Sequence, residues 1–588
     1  MAKGKGQIGL SIAERHRPTK ESFDFRSASV EQWVETLPVG NVGETARLVY
    51  GALHDVNRLD ISWKERQRFL EQLRAPISYV QESLVKRYTG MSFPLPPKTQ
   101  RIAALAQTLY LEMALGYKTA IEEMLGSSFL RRDNKALAEL IHRAIRYLSH
   151  AILTSYQTYA PHPLNSWFEL HMLFLHAEYK KLHQTPIRDS ENKELPESSI
   201  ARAYKQLLLL ALASPYRLRQ GEAESIYNAL GRWAGHAHII PYNNPSASEA
   251  LFVVHMDSDE APDYQAFNHR DCNTELCRLV DTRQLSHILQ EELTYQEQQR
   301  KVVTLGSELL LRLIRSWGVA PKRQFNRSER SAQLEVVVGT SMLHQALAHE
   351  SGDESLYSKR ATYESKTVAG VSQPTSEDVW NIFSSKKIRK GYDEYEKQQK
   401  EPQPKPAPKL AIQTWNIRNE SAGGYRLCLD DGQGAKVQVG ELLGLRTPGS
   451  GNQWEIGAIR WIRQPADGGL EIGVQVLAPQ AQPVLVRNEK AGGKAAEYQY
   501  ALLLPAIATI AHPASIVTPI LLFSPGNELD MQRHDQHIKI VLHEKMQDSG
   551  TFVQFRFTPK PVPGAPKRTE GSEAKSPEGG FGSLWQDL

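Results

Sequence analysis

Between Trp63 and Ile152 the apolar residues recur at intervals of three and four, in one block after another, and this periodicity limits the first half of the chain to packed helices. The first block carries Phe69, Leu73, Ile77, Val80, Leu84 and Tyr88. The second carries Ile102, Leu105, Leu109, Met113, Tyr117 and Ile121, and the third Leu137, Ile141, Ile145, Leu148 and Ile152, closed by Pro161 and Pro163. Each set falls on one face of a helix, so each helix needs a neighbour to cover that face. Further helices are expected at 165–184, 200–213 and 221–234, giving an antiparallel α-helical array over 31–240. No strict repeat signature is present. Residues 1–30 are polar and read as a flexible N-terminus. They carry no apolar core behind their charges, so they do not read as a signal peptide.

The texture changes after Trp233. Residues 251–256 are strand-like, and a long helical pattern occupies 283–317, so 241–318 reads as a mixed connecting segment. From Pro321 the alternation is that of strands, at 333–338, 415–429, 454–461 and 470–476, with Gly and Asp-Gly turns between them. Residues 346–409 are polar, end in Glu-Pro-Gln-Pro-Lys-Pro-Ala-Pro, and read as a disordered insertion. A second β-rich segment is expected over 481–560, then a disordered tail over 561–588. The apolar stretch 501–523 is broken by Pro505, Pro513 and Pro519, which favours strands and turns over a membrane span.

A chain of 588 residues exceeds what one hydrophobic core can serve, so several domains are expected. Three cysteines, Cys272, Cys277 and Cys428, are too few for a disulfide framework and suit a reducing cytoplasm. The formal charge of +4 admits anionic ligands without demanding nucleic acid. His171, His176 and His183 are spaced by five and seven, which does not make a zinc pair, and His236, His238, Cys272 and Cys277 lack metal-site spacing. There is no Walker loop, dinucleotide fingerprint or nucleophile elbow. Nothing in these patterns argues for catalysis, so neither enzyme activity nor a metal or cofactor is expected.

Two short motifs remain. Arg323 and Arg327, in Arg-Gln-Phe-Asn-Arg, are the one pair of arginines spaced by four, and they stand just ahead of a strand. Asn419-Glu-Ser421-Ala-Gly-Gly424 lies between two strands. Together they resemble the PilZ family, whose barrel carries R-x-x-x-R before its first strand and (D/N)-x-S-x-x-G after it. The strands around Gly457-Ala-Ile-Arg-Trp461 and Leu470-Glu-Ile-Gly-Val474 add to the likeness, which covers 319–345 and 410–480. The insertion between the motifs is longer than is usual in that family. Loop-closure cost grows only logarithmically with length, so the insertion is compatible with the match.

The resemblance implies an α+β multidomain protein, with the helical array followed by a PilZ-like antiparallel β-barrel and the further β-rich segment. It also implies a cyclic di-GMP receptor of bacterial second-messenger signalling. Arg323, Arg327, Asn419, Ser421 and Gly424 would be the ligand-binding residues. A guanidinium can donate in parallel to the O6 and N7 edge of guanine or grip a phosphodiester. Output would run through an unidentified protein partner at the helical domain. A PilZ-like scaffold or adaptor that no longer binds nucleotide fits the same residues, as does, more distantly, a nucleic-acid-binding protein.

Overall fold

The structure is a computed structural model. It describes residues 8–560 apart from 127–132, 192–194, 244–249, 266–272, 300–303, 319–326, 353–409, 431–433, 450–452, 467, 508–511 and 534–535. The chain divides near residue 324 into two compact units.

Among the described residues the first unit opens with eight helices: α1 (Ser27–Glu35), α2 (Val42–Val56), α3 (Trp63–Val85), α4 (Pro97–Gly126), α5 (Asn134–Gln157), α6 (Ser166–Tyr179), α7 (Ile200–Leu212) and α8 (Glu222–Trp233). A short antiparallel pair, β1 (Ile187–Arg188) and β2 (Glu197–Ser198), lies between α6 and α7. All the residues of the three sequence stripes are buried. Local signals set the helix starts. Ser62 and Glu65 form a reciprocal capping box at α3, and the Asp133 carboxylate accepts from the amides of Lys135 and Ala136 at α5. α5 is buried on most of its circumference, which makes it the central helix of the array. Gly116 lets α4 approach α3 closely, since a Cβ there would lie 2.7 Å from the Leu70 side chain.

A four-stranded sheet follows, in the order β3 (His238–Pro241), β6 (Cys277–Asp281), β4 (Phe252–His255), β5 (Asp263–Tyr264). The helical pattern at 283–317 is two helices, α9 (Arg283–Gln299) and α10 (Ser307–Gly318), not one. The intervening Val302, Val303, Thr304 and Gly306 are poor helix formers. The flexible N-terminus expected over 1–30 is also corrected where it is described. Ile8 and Leu10 are buried, and Phe23 packs edge-on against Trp33 at 4.9 Å and Phe69 at 5.8 Å. A few apolar residues in a polar segment suffice to seat it on a helical surface.

The second unit holds two closed six-stranded barrels. The first uses β7 (Ser328–Val338), β8 (Gln413–Ser421), β9 (Gly424–Leu429), β10 (Leu442–Arg446), β11 (Glu455–Arg463) and β12 (Leu470–Ala478), in the order β10-β11-β12-β9-β8-β7 and closed by β7 on β10. The second uses β13 (Gln482–Arg487), β14 (Gln499–Leu504), β15 (Ser515–Pro519), β16 (Glu528–Arg533), β17 (Gln536–Asp548) and β18 (Phe552–Pro559), closed by β13 on β16. Its interior is lined by Val484, Val486, Ala501, Leu503, Met531 and Phe555, among others. The alternate residues Leu502 and Leu504 point the other way, into a core shared with the first barrel. With both faces of β14 covered, its sequence is a continuous apolar run instead of an alternation.

A helix missed by sequence, α11 (Thr340–Ser351), fills that shared core with Leu343, Ala346 and Leu347. It extends six residues into the segment read as a disordered insertion over 346–409. The remainder of that segment, 353–409, and the tail from 561 lie outside the described residues. No helix among the described residues is long and apolar enough to cross a membrane.

Candidate functional site

The β7–β8–β9 part of the first barrel holds the second sequence motif and, just ahead of β7, Arg327 of the first. β8 and β9 form a hairpin in which Ser421 pairs with Gly424 across the turn residues Ala422 and Gly423, while Asn419 pairs with Arg426. Ser421 Oγ donates to the Gly424 carbonyl at 3.3 Å, closing the turn from within. Gly424 has φ of +151°, and a Cβ there would stand 1.9 Å from the Val474 carbonyl oxygen on β12. The residue is glycine because the hairpin is pressed against a third strand, a reason more specific than a tight turn. The Val476 amide donates to the Gly423 carbonyl at 3.1 Å and fastens the turn to β12.

Register supplies the other half. Ser328 pairs with Glu420 and Glu329 with Asn419, and a bulge follows before Ala332 pairs with Ile417. Ser328, the residue after Arg327, thus lies opposite Glu420, the residue before Ser421. Arg327 is exposed immediately ahead of β7. Arg323 lies outside the described residues. Asn419 is half-buried, and its side chain forms no hydrogen bond with another described residue.

The neighbouring charges are largely committed. Arg330 donates to Glu420 at 2.7 Å, which neutralises the one acid inside the second motif. Arg426 grips both oxygens of Glu471 at 2.9 and 2.8 Å. Arg418 lies 3.5 Å from Asp430. Burial, with Glu455 next in effect, pushes the Tyr425 phenol well above its ordinary range and keeps it neutral.

Two groups near the hairpin escaped the sequence reading. Arg330, three residues past Arg327 and already on β7, is a third arginine close to the motif, and its acid partner appears only once β7 and β8 are in register. Arg460 on β11 donates to Gln475 at 2.7 Å and to Gln547 on β17 at 2.9 Å, so it joins the strand behind the hairpin to the second barrel. Two tryptophans serve as packing groups. Trp317 is fully buried, and Trp461 covers Gly473, where a Cβ would lie 1.8 Å from its indole nitrogen. His171 is buried between the Tyr204 hydroxyl at 2.6 Å and the Glu260 carbonyl at 2.9 Å. Among the described residues no three His, Cys, Asp or Glu side chains are grouped to hold a metal ion.

A six-stranded barrel with an arginine at the mouth of its first strand and an Asn-x-Ser-x-x-Gly hairpin beside it has the form of a PilZ domain, and the chain belongs to the PilZ-domain family. Three family models match it in succession. They are the N-terminal domain of the cyclic-di-GMP receptor FimW over residues 28–244, its middle PilZ domain over 251–483, and the FimW C-terminal beta-barrel domain over 484–559. The cyclic-di-GMP receptor FimW of Pseudomonas aeruginosa is 29% identical, over 97% of this chain and 98% of its own length. No solved structure matches the chain.

Proposed function

We propose that this protein is a cytoplasmic receptor for cyclic di-GMP in bacterial second-messenger signalling, acting through protein contacts and not through catalysis. The observation that carries the reading is the register that pairs Ser328, next to Arg327, with Glu420, next to Ser421, at the hairpin whose turn is fixed by Gly424. In this reading Arg323 and Arg327 close over the ligand from the lead-in. Asn419 and Ser421 meet a guanine and its flanking groups, and Gly424 holds the turn. The ligand offers two guanine edges and two phosphodiesters, both of which suit a guanidinium fork. The relative named above is described as a receptor for the same molecule. In the same reading the insertion 346–409 is dispensable for ligand binding, and the helical domain of 31–240 carries the output through a groove between its helices.

Calorimetric titration of the full chain with cyclic di-GMP tests the reading. Arg327 is exposed, so Arg327→Ala should leave the melting curve unchanged. Losing a bidentate contact of about 1–3 kcal/mol should weaken binding roughly 5- to 150-fold. No binding by the intact protein would leave a scaffold. Binding that both Arg323→Ala and Arg327→Ala leave intact would remove the site assignment.

A further inference from the structure

We propose that the helical domain contains a second ligand site, for an elongated ring-bearing organic anion of nucleoside monophosphate size. It is a cavity of about 310 Å³, walled chiefly by α3, which also brings Glu82, and α5, and completed by α8, by Tyr110 of α4, Gln206 of α7, and Asp189 and Glu191 after β1. That volume is at the lower end of small-molecule sites.

Three guanidiniums converge at one end. Arg74, Arg143 and Arg146 all face the carboxylate of Asp189, which is 1% exposed. Burial works to raise the Asp189 carboxyl, and Arg143, Arg146 and Arg74 together outweigh it, holding it well below the ordinary carboxylate range. Arg74 and Arg143 have a further acid in Glu71. Arg146 has a single long contact with Asp189, at 3.5 Å, although its side chain is only 13% exposed. A planar fork of five donors with one poor acceptor is a vacancy for an anion.

The far end has the opposite character. The Tyr88 hydroxyl donates to Gln157 at 3.2 Å, and Gln157 in turn donates to Glu224 at 3.4 Å. α3 and α5 therefore run in the same direction. At 1.5 Å per residue, Gln81 and Gln157 lie roughly 10–16 Å along the axes from Arg74 and Arg146. Gln81 Oε1 is buried and without a hydrogen-bond partner, and the buried Tyr227 hydroxyl has only the Ser149 hydroxyl beside it. With Glu224 they ask for groups that bear hydrogens. Between the ends runs a row of rings: Tyr147 and Tyr110 at 6.4 Å, Tyr110 stacked on His150 at 5.1 Å, and His150 against Tyr227 at 5.2 Å. Burial and the Arg146 charge keep His150 neutral, with its pKa down to about 3, so the row adds no cation of its own.

An anionic terminus for the arginines, a flat ring for the tyrosines and ring N–H groups for the carboxylate end are united in a purine nucleoside monophosphate. The test is calorimetric titration of the full chain with guanosine and adenosine monophosphate, and with inorganic phosphate as the bare anion. At least one nucleotide should bind, and more tightly than phosphate. Arg146→Gln should weaken that binding at least about tenfold, as loss of a charge-assisted fork does, and Arg146→Lys should restore part of it. Cyclic di-GMP affinity should not change in either variant, and both should still melt in one cooperative transition. No heat with any of the three probes at millimolar concentration would overturn the proposal, as would equal affinity in Arg146→Gln. Binding abolished by Arg327→Ala would also overturn it, because the nucleotide would then belong to the barrel.

Discussion

Gly424→Ala is the sharpest test of how the hairpin is held. The new Cβ would sit 1.9 Å from the Val474 oxygen, 2.9 Å from its carbonyl carbon and 3.1 Å from Gln475 Cα, all backbone atoms. No side chain can swing aside to relieve this, so β9 or β12 has to move by roughly an ångström. Both strands are tied at that point, through the pairs Tyr425 with Val474 and Gly424 with Gln475 and through the Val476 amide. Freeing one or two of those rungs costs about 1 kcal/mol each, and an alanine at φ of +151° adds about 1–3 kcal/mol of strain. The sum, about 2–5 kcal/mol, is a large part of a typical domain's stability. For a unit of this size it lowers the melting temperature by roughly 5–15 °C. Calorimetric or near-ultraviolet circular-dichroism melts of the full chain would measure it. Ser421→Ala is the internal control, since it removes only the 3.3 Å bond to the Gly424 carbonyl and should cost at most about 1 kcal/mol. A Gly424→Ala protein that melts within about a degree of the parent, or a more damaging Ser421→Ala, would refute the account of the turn.

Three further outcomes are expected. Burial holds His142 and His150 down to about 3 and His171 to about 4, so the unfolded chain takes up protons first as pH falls. Their stabilisation is complete above about pH 6.5 and is lost toward pH 4, amounting to several kcal/mol by pH 5. Helical ellipticity under urea should reveal it, and equal stability at pH 7 and 5 would contradict it. Arg446 lies 4.4 Å over the Trp454 ring and donates to Glu335 at 2.8 Å and to Glu350 of α11, so Arg446→Ala should cost about 2–4 kcal/mol in urea unfolding; a change under about 1 kcal/mol would count against this clamp. Replacing 353–409 by a short Gly/Ser linker should leave cyclic di-GMP affinity within about twofold, and a folded variant that no longer binds would place the segment in the site.

The helical stripes were legible because each is local: a face of Leu, Ile and Tyr at spacings of three and four needs only some apolar neighbour. The Asn-x-Ser-x-x-Gly turn was legible for the same reason, being six residues spanning one hairpin. Its relation to Arg327 was not, because it depends on pairing Ser328 with Glu420 across 92 positions, and only the family likeness brought the two together. α11 was hidden by its polar end, His349-Glu350-Ser351, which looks like the start of the Pro- and Lys-rich stretch behind it. Its apolar side makes sense only against the outer face of β14. Closure of the second barrel was likewise invisible, since nothing in the sequence of β13 announces β16 as its partner.

The core shared through α11 bears on how this architecture can be inherited. The family models hand over from one domain to the next between residues 483 and 484, inside β13. The hydrophobic contacts ignore that border: Leu343, Ala346 and Leu347 from one side of it meet Leu502, Leu504, Val517 and Phe552 from the other. A gene fusion that brought in either barrel alone would have exposed a wide apolar surface. The pair therefore travels as one heritable piece, and a protein with the first barrel but not the second must carry polar residues where α11 here carries leucine.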